Sequence, residues 1–331
     1  MKIAVIGTGI AGNVAAYKLR RDHDITVFEA GSYVGGHTHT VDVGEDGKRH
    51  AIDTGFIVFN DRTYPNFRKL LDEIGQESQP SVMSFSVQNQ HSGLEYAGSS
   101  LNALFAQRRN ILRPRFYRMI RDILRFNKAT LGHEQELDET ETIGAYLARQ
   151  RYGKDFSDQY LVPMAAAIWS AEPAAVLDMP VKFLVRFFAN HGLLQTTDRP
   201  TWHVIKGGSR EYVSKLVAGH RDRIRLNSPV LSVQRVPDGI DLHTEAGGKE
   251  HFDCVFLACH SDQALSLLAD ATADEKEVLG AIRYQSNEAI LHTDDSLMPR
   301  RKRAWAAWNY HTAQDKQRHV AVTYNMNILQ G

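Results

Sequence analysis

The first twelve residues, MKIAVIGTGIAG, restrict the possible folds more than any other stretch of the chain. Residues 2–6 are mostly apolar and do not alternate, as in a strand buried on both faces of a parallel sheet. Gly7-Thr-Gly9-Ile-Ala-Gly12 follows directly, residues 10–21 carry a helical pattern, and residues 25–28 read as a second strand. Strand, helix and strand in this order form a βαβ unit. Gly7 permits the tight turn, Gly9 lets a phosphate approach the backbone, and Gly12 lets helix and strand pack closely. The N–H groups of Ile10, Ala11 and Gly12, at the positive end of the helix dipole, would face a pyrophosphate. Glu29, 20 residues after Gly9 and followed by Ala30, stands where an acid bonds ribose hydroxyls. Its charge would repel a 2′-phosphate. The segment predicts a site for the ADP half of an unphosphorylated dinucleotide.

Composition removes several other classes. Lys plus Arg and Asp plus Glu are equal at 39 each, so no global field draws the chain towards nucleic acid. No run of 18 apolar residues occurs to span a bilayer as a helix. The N-terminus runs straight into a strand and lacks the basic and cleavage regions of a signal peptide, so it reads as a folding segment. With only two cysteines and no pairing between them, a cytoplasmic location is expected, with peripheral contact at the inner membrane open. Cys254 and Cys259 fall in one apolar run, where a strand would put them on opposite faces and prevent a mutual disulfide.

Residues 41–43 and 49–52 flank Gly44-Glu-Asp-Gly47, a hairpin signal, and residues 82–88 and 94–96 flank another. From about 100 to 191 the pattern is helical, punctuated by Pro114, Pro163 and Pro180. Strand signals return at 224–226, 230–235, 240–244 and 254–258; helices follow at 262–268 and 273–281, and strands at 288–292 and 319–324. This order predicts an α/β fold, a Rossmann-like nucleotide domain with an inserted helix-rich substrate domain. The expected segments are 1–80 and 201–285 for the cofactor, 81–200 for the insertion, and 286–331 for substrate-domain strands.

After Glu29 come Ala30-Gly-Ser-Tyr33-Val-Gly35-Gly36-His37, and the paired glycines imply a second close backbone approach to the cofactor. That approach suits FAD rather than NAD. The segment resembles the superfamily of flavin amine oxidases, phytoene desaturases and protoporphyrinogen oxidases, whose pattern is an acid, two small residues, an Arg, then Gly-Gly-Arg. Tyr33 stands at the first Arg and His37 at the second. Asp53-Thr54-Gly55-Phe56 resembles the superfamily's Asp-x-Gly segment beside the flavin. Lys206-Gly-Gly208-Ser209 resembles its mid-chain Gly-Gly step, Ser228-Pro-Val230 the strand whose valine backbone meets the adenine, and residues 253–258 the returning strand of the nucleotide sheet. Phrases such as Gly35-Gly-His-Thr-His-Thr40, residues 53–60 and residues 207–212 are similar to a bacterial group of NAD/FAD-binding proteins found with cyclopropane-fatty-acid synthases. The resemblance implies an FAD-dependent oxidoreductase that takes a hydride from a C–H of an amine, isoprenoid or acyl chain. Those relatives close with a glycine-rich strand–helix segment against the flavin. Here the last strand signal stops before any closing helix, so the chain reads as a fragment or early truncation.

Flavin redox asks little of side chains, so the catalytic candidates are few. The Gly-Gly turn should bring His37 and His39 near the flavin, where a histidine could move a proton, against the favoured plainer reading that His37 only bonds backbone or cofactor where the superfamily has Arg. No third ligand accompanies them, so no metal site is expected. Lys206 is a further candidate against a solvated loop lysine. Trp305, Trp308 and Tyr310 could line a pocket or simply pack a strand, and Asn60 and Tyr64 could face substrate or form a turn. Residues 108–128 carry eight basic residues against Asp122 with apolar positions at roughly helical spacing, predicting an amphipathic basic helix. It could rest on anionic lipid and admit an acyl substrate, or hold a solvated basic face. Residues 182–188 read as a buried helix or the wall of an apolar channel. The rivals to an oxidoreductase are a non-redox flavin isomerase, an NAD dehydrogenase, and a non-catalytic partner of a lipid-modifying methyltransferase.

Overall fold

The computed structural model describes residues 1–45, 47–195, 197–245, 248–312 and 321–331. The fold is α/β and divides into two compact units, each assembled from three stretches of chain: 1–57, 69–78 and 205–290 in the first, and 58–68, 79–204 and 291–331 in the second.

The first unit is built on a four-stranded parallel sheet. Its order is Ile224–Arg225, β2 (Asp24–Phe28), β1 (Lys2–Ile6) and Cys254–Leu257. β1 is buried from Ile3 onward because both of its faces are covered. Ile3 and Val5 pack with Ile25, Val27 and Ala16 of helix α1 (Ile10–Leu19). Ala4 and Ile6 point the other way, to Phe28, Val233, Leu242 and Phe252. The last three belong to an antiparallel sheet of Val230–Val236, Gly239–Thr244 and Lys249–Phe252. The hairpin of β3 (Thr40–Glu45) and β4 (Lys48–Asp53) pairs from Thr40 opposite Asp53 out to Glu45 opposite Lys48. Both strands therefore run further towards the tip than the turn signal suggests; Asp46 lies outside the described residues.

Two expectations are corrected, and one strand of this unit escapes the sequence pattern. The strand after Asp253 ends at Leu257, so Cys259 is not on it; both cysteines are free. Residues 288–292 form no strand: Ile290 is 70% exposed, and an apolar run without a pairing partner gains no ladder. The strand Lys249–Phe252 was not legible, because its polar outer face hides it.

The second unit is mainly helical around a core that includes Phe126, Phe156, Leu161, Leu184 and Phe188. A four-stranded sheet joins it, in the order Ala321–Tyr324, Trp308–Thr312, Phe85–Asn89 and Leu94–Ala97. Pairing is parallel only between the middle two strands. A short helix, Met326–Leu329, follows the last strand. The expected single helix over 108–128 is broken. Arg108–Leu112 is a 3₁₀ turn, Arg113 is extended, and the α-helix is Pro114–Thr130. Proline bars the residue before it from helical geometry and fits the first helical position. No helix among the described residues is long and apolar enough to cross a membrane.

Candidate functional site

The site is built at the carboxyl end of β1. Gly7 turns the chain with φ +100°, and its N–H donates to the Phe28 carbonyl at 2.8 Å. A Cβ there would lie 2.6 Å from the Ala258 carbonyl oxygen, at the end of the strand parallel to β1. A Cβ on Gly12 would overlap the Gly7 carbonyl oxygen. Gly9 differs: a Cβ would meet nothing within 4 Å, and no side chain caps α1, whose first turn holds no acid. The orphan N–H groups of Ile10, Ala11 and Gly12 therefore lie at an uncapped helix start, with Gly9 beside them leaving space for a close anion.

The acid that follows β2, Glu29, organises this turn. Glu29 Oε2 accepts from both the backbone N–H and the hydroxyl of Thr8, and Oε1 accepts from the Gly31 N–H at 2.7 Å. Thr8 Oγ1 in turn accepts from the Gly35 N–H at 3.3 Å. A carboxylate offers about four acceptor positions, so one remains for a ribose hydroxyl. Ala30 is exposed beside it. Gly36, with φ +58°, lies so close that a Cβ would sit 2.9 Å from the Gly9 Cα. The two glycine turns thus touch. An uncapped helix start, open space at Gly9 and an acid with a spare acceptor together fit the ADP half of a dinucleotide.

His37 follows Gly36 and is exposed. Its carbonyl accepts from the Phe56 N–H at 2.9 Å, and its ring stacks on His260 at 5.5 Å. His260 stacks in turn on Tyr284 at 4.2 Å, and the Tyr284 hydroxyl bonds the N–H of Ser261. Because Ala258 abuts Gly7, this three-ring stack flanks the mouth of the glycine turn. His39 Nδ1 pairs with Thr54 Oγ1 at 2.7 Å, and Gly55 leaves no room for a side chain against the His37 carbonyl. Asp53 is the buried hub behind them. Its carboxylate accepts from Thr40 Oγ1 at 2.6 Å, the Ser209 N–H at 2.8 Å and Ser209 Oγ at 3.0 Å. Burial pushes its carboxyl above the ordinary range, against the pull of those donors.

The remaining sequence candidates separate. Val230 lies at the start of its strand, packed against the cluster containing Ala4 and Phe28. Lys206 is exposed and ion-paired to Glu77 at 2.8 Å, which holds its ammonium above the usual range. Within the second unit, Asn60 Oδ1 accepts from the N–H groups of Arg62 and Thr63, a turn role, and Tyr64 packs edge-on to Phe59. Trp305 donates to the Pro299 carbonyl, while Trp308 and Tyr310 lie on one strand, with Tyr310 buried. Sequence reasoning missed Thr8, His260, Tyr284 and Ser209. Only Thr8 and Ser209 had a signal, as hydroxyls inside quoted glycine motifs.

Comparison with known proteins follows the same line. The sequence profile described as flavin containing amine oxidoreductase matches residues 10–316. Comparison with curated proteins finds no match. Among solved structures, cyclohexylamine oxidase from Brevibacterium oxydans is 18% identical with TM-score 0.66, over 84% of this chain and 62% of that one. Putrescine oxidase bound to putrescine is 17% identical with TM-score 0.62, over 85% and 63%. A CLA-producing fatty acid isomerase from P. acnes is 18% identical with TM-score 0.57, over 84% and 63%. At these identities the likeness is one of fold, and the chain spans less than two thirds of each of those proteins. The profile match covers most of the sequence, and the chain belongs to the flavin containing amine oxidoreductase family.

Proposed function

We propose that the chain carries the FAD and substrate regions of an oxidoreductase that removes a hydride from a C–H of a lipid-like or amine substrate. The observation that carries this reading is the opening at Gly9 beside an uncapped α1 and Glu29, in a flavin-family chain. FAD supplies the hydride acceptor when bound. The chain's own part is to hold the pyrophosphate on the amides of residues 10–12 and the ribose on Glu29. Gly35 and Gly36 pass the backbone close to the cofactor, and His37 and His39 border it as candidates for holding a proton. We assign the first unit to the cofactor and the second to substrate.

Trp169, Phe183, Phe187, His191 and Trp202 form a continuous aromatic wall in the second unit, with neighbouring rings 3.9–6.2 Å apart. It supports a substrate with an alkyl segment, an acyl chain or an alkylamine. Burial holds His191 below the usual imidazole range, which keeps that wall uncharged at neutral pH. The site for a lipid-like substrate and contact of residues 108–128 with a membrane belong to this reading, as does a cytoplasmic location.

The test is flavin content followed by anaerobic bleaching of the flavin with fatty acids and with alkylamines. Bound FAD that is bleached by one class supports the reading and names the class. A colourless protein that ignores added FAD overturns it. NADH fluorescence quenching without flavin would instead indicate a dehydrogenase. Turnover that leaves substrate mass unchanged and needs reduced flavin would indicate an isomerase. Stable capture of a lipid-modifying methyltransferase, with lipid profiles unchanged in Glu29→Ala, would indicate a non-catalytic partner.

A further inference from the structure

The charge of this neutral chain is unevenly placed. Residues 100–131 hold eight basic side chains and one acid, Asp122, a net of +7, whereas the whole sequence balances 39 against 39. The acids near this stretch are already used: Asp122 is buried within 3.8 Å of Arg121 and 3.5 Å of Arg125, and Asp155 pairs with Arg115 at 2.8 Å. Arg108 bonds the Phe105 carbonyl and Asn102, and Arg109 bonds the Gly93 carbonyl at 2.9 Å, so neither charge is neutralised. Among the described residues Arg113 and Arg118 have no ion pair or side-chain hydrogen bond, and both are exposed.

The apolar residues on this stretch are equally unspent. Proline at 114 breaks the helix and turns residues 111–115 into an exposed corner. Leu112 at its tip is 86% exposed and Ile111 45%. Leu101 is 75% exposed and Tyr117 47%, and Phe105 joins them: its N–H donates to the Leu101 carbonyl and its ring lies 5.9 Å from Tyr117. Leucines that face water in the fold among arginines without carboxylate partners match one environment, an anionic interface with hydrocarbon beneath it. A nucleic acid would use the charges and leave the leucines in water.

We infer that the corner 111–114, with Leu101 and Tyr117, inserts into an anionic lipid surface while Arg113 and Arg118 engage its headgroups. This deepens the lipid reading of the second unit by naming the surface from which an acyl substrate would enter. Vesicle binding is measured without flavin or turnover, so its failure and the failure of the flavin reading are told apart.

The experiment is sedimentation of the whole chain with phosphatidylcholine vesicles, and with the same vesicles containing phosphatidylglycerol. Binding is expected only to the anionic vesicles and should weaken as salt rises. Arg113→Glu with Arg118→Glu should lower the partition coefficient at least about tenfold, since each basic residue near such a surface carries a sizeable share of the attraction. Leu112→Ser should remove the part of binding that survives high salt. Among the described residues Arg113 and Arg118 have no ion pair or side-chain hydrogen bond and Leu112 is exposed, so the variants should melt like the parent, and Arg113→Lys with Arg118→Lys should keep binding. Equal binding to neutral vesicles, or parent-like binding by the double Glu variant, overturns the inference. Capture of an acidic protein without vesicle binding overturns it too.

Discussion

Gly9 and Gly12 belong to one motif, yet the structure predicts opposite consequences for giving each a methyl group. Gly9 has φ −63° and ψ 179°, which any residue adopts, and its Cβ would meet nothing within 4 Å. Alanine is a poorer N-cap than glycine, by up to about 1 kcal/mol. Against this, the unfolded chain loses freedom, which stabilises the fold by about 0.4–1 kcal/mol. The two effects nearly cancel, so Gly9→Ala should shift the melting temperature of the flavin-free protein by less than about 4 °C. Gly12→Ala would drive a methyl into the Gly7 carbonyl oxygen and to 3.2 Å from the Ala258 Cβ. Overpacking against backbone costs about 3 kcal/mol, which lowers the melting temperature by roughly 6–12 °C. Binding should invert the order of interest. In Gly9→Ala the methyl occupies the space left for the phosphate, a penalty of about 1–3 kcal/mol, or roughly 5- to 150-fold weaker FAD binding on an intact fold. Differential scanning fluorimetry of flavin-free protein and titration of flavin fluorescence read the two quantities separately. If Gly9→Ala binds FAD like the parent, the phosphate does not approach Gly9. If Gly12→Ala melts like the parent, the packing assigned to α1 and β1 is wrong.

Other substitutions test neighbouring parts. Glu29→Ala removes the acceptor for Thr8 and Gly31; it should weaken FAD binding at least about tenfold, because bonds to a charged partner carry about 1.5–3 kcal/mol, and speed amide exchange at both residues. Asp53 has its carboxyl pushed up by burial. The folded state therefore holds that proton more tightly, and the resulting stability, full below the unfolded value near 3.9, is lost as pH rises through the raised one. Urea melts should show Asp53→Asn gaining on the parent as pH rises from about 4 to 7; a constant difference would contradict this. Glu275 is pulled down to about 2, first by Arg235 and then by the Thr272 N–H. Its contribution is present above about 4.3 and lost as pH falls through about 2. Glu275→Gln should abolish the acid fraying of helix Ala273–Ala281 in that window, read by amide exchange at its first turn.

What could be seen in the sequence was what neighbouring residues decide among themselves. The turn at Gly7, the helix from Ile10, the second strand and Glu29 are all local choices, and each appears where its pattern put it. Pro114 is as local a signal, and its ring overrides the apolar spacing that runs through it, so the helix starts at the proline. Lys249–Phe252 and residues 288–292 failed for a different reason. A strand exists only by pairing, so a polar stretch with a partner forms one and an apolar stretch without a partner does not. The same limit governs the site. Thr8 looked like filler between two glycines, and only the fold shows it holding Glu29 and Gly35 together. His260 carries no motif at all. It reaches His37 because Cys254–Leu257 pairs in parallel with β1, Leu257 opposite Ile6, which delivers the following residues to the same end of the sheet as Gly7. Ligands in open parallel sheets bind at the carboxyl ends of strands, so pairing order alone would have marked 258–261 for attention once that strand was placed beside β1. The motif names the residues proposed to hold phosphate; the sheet decides which residues face them.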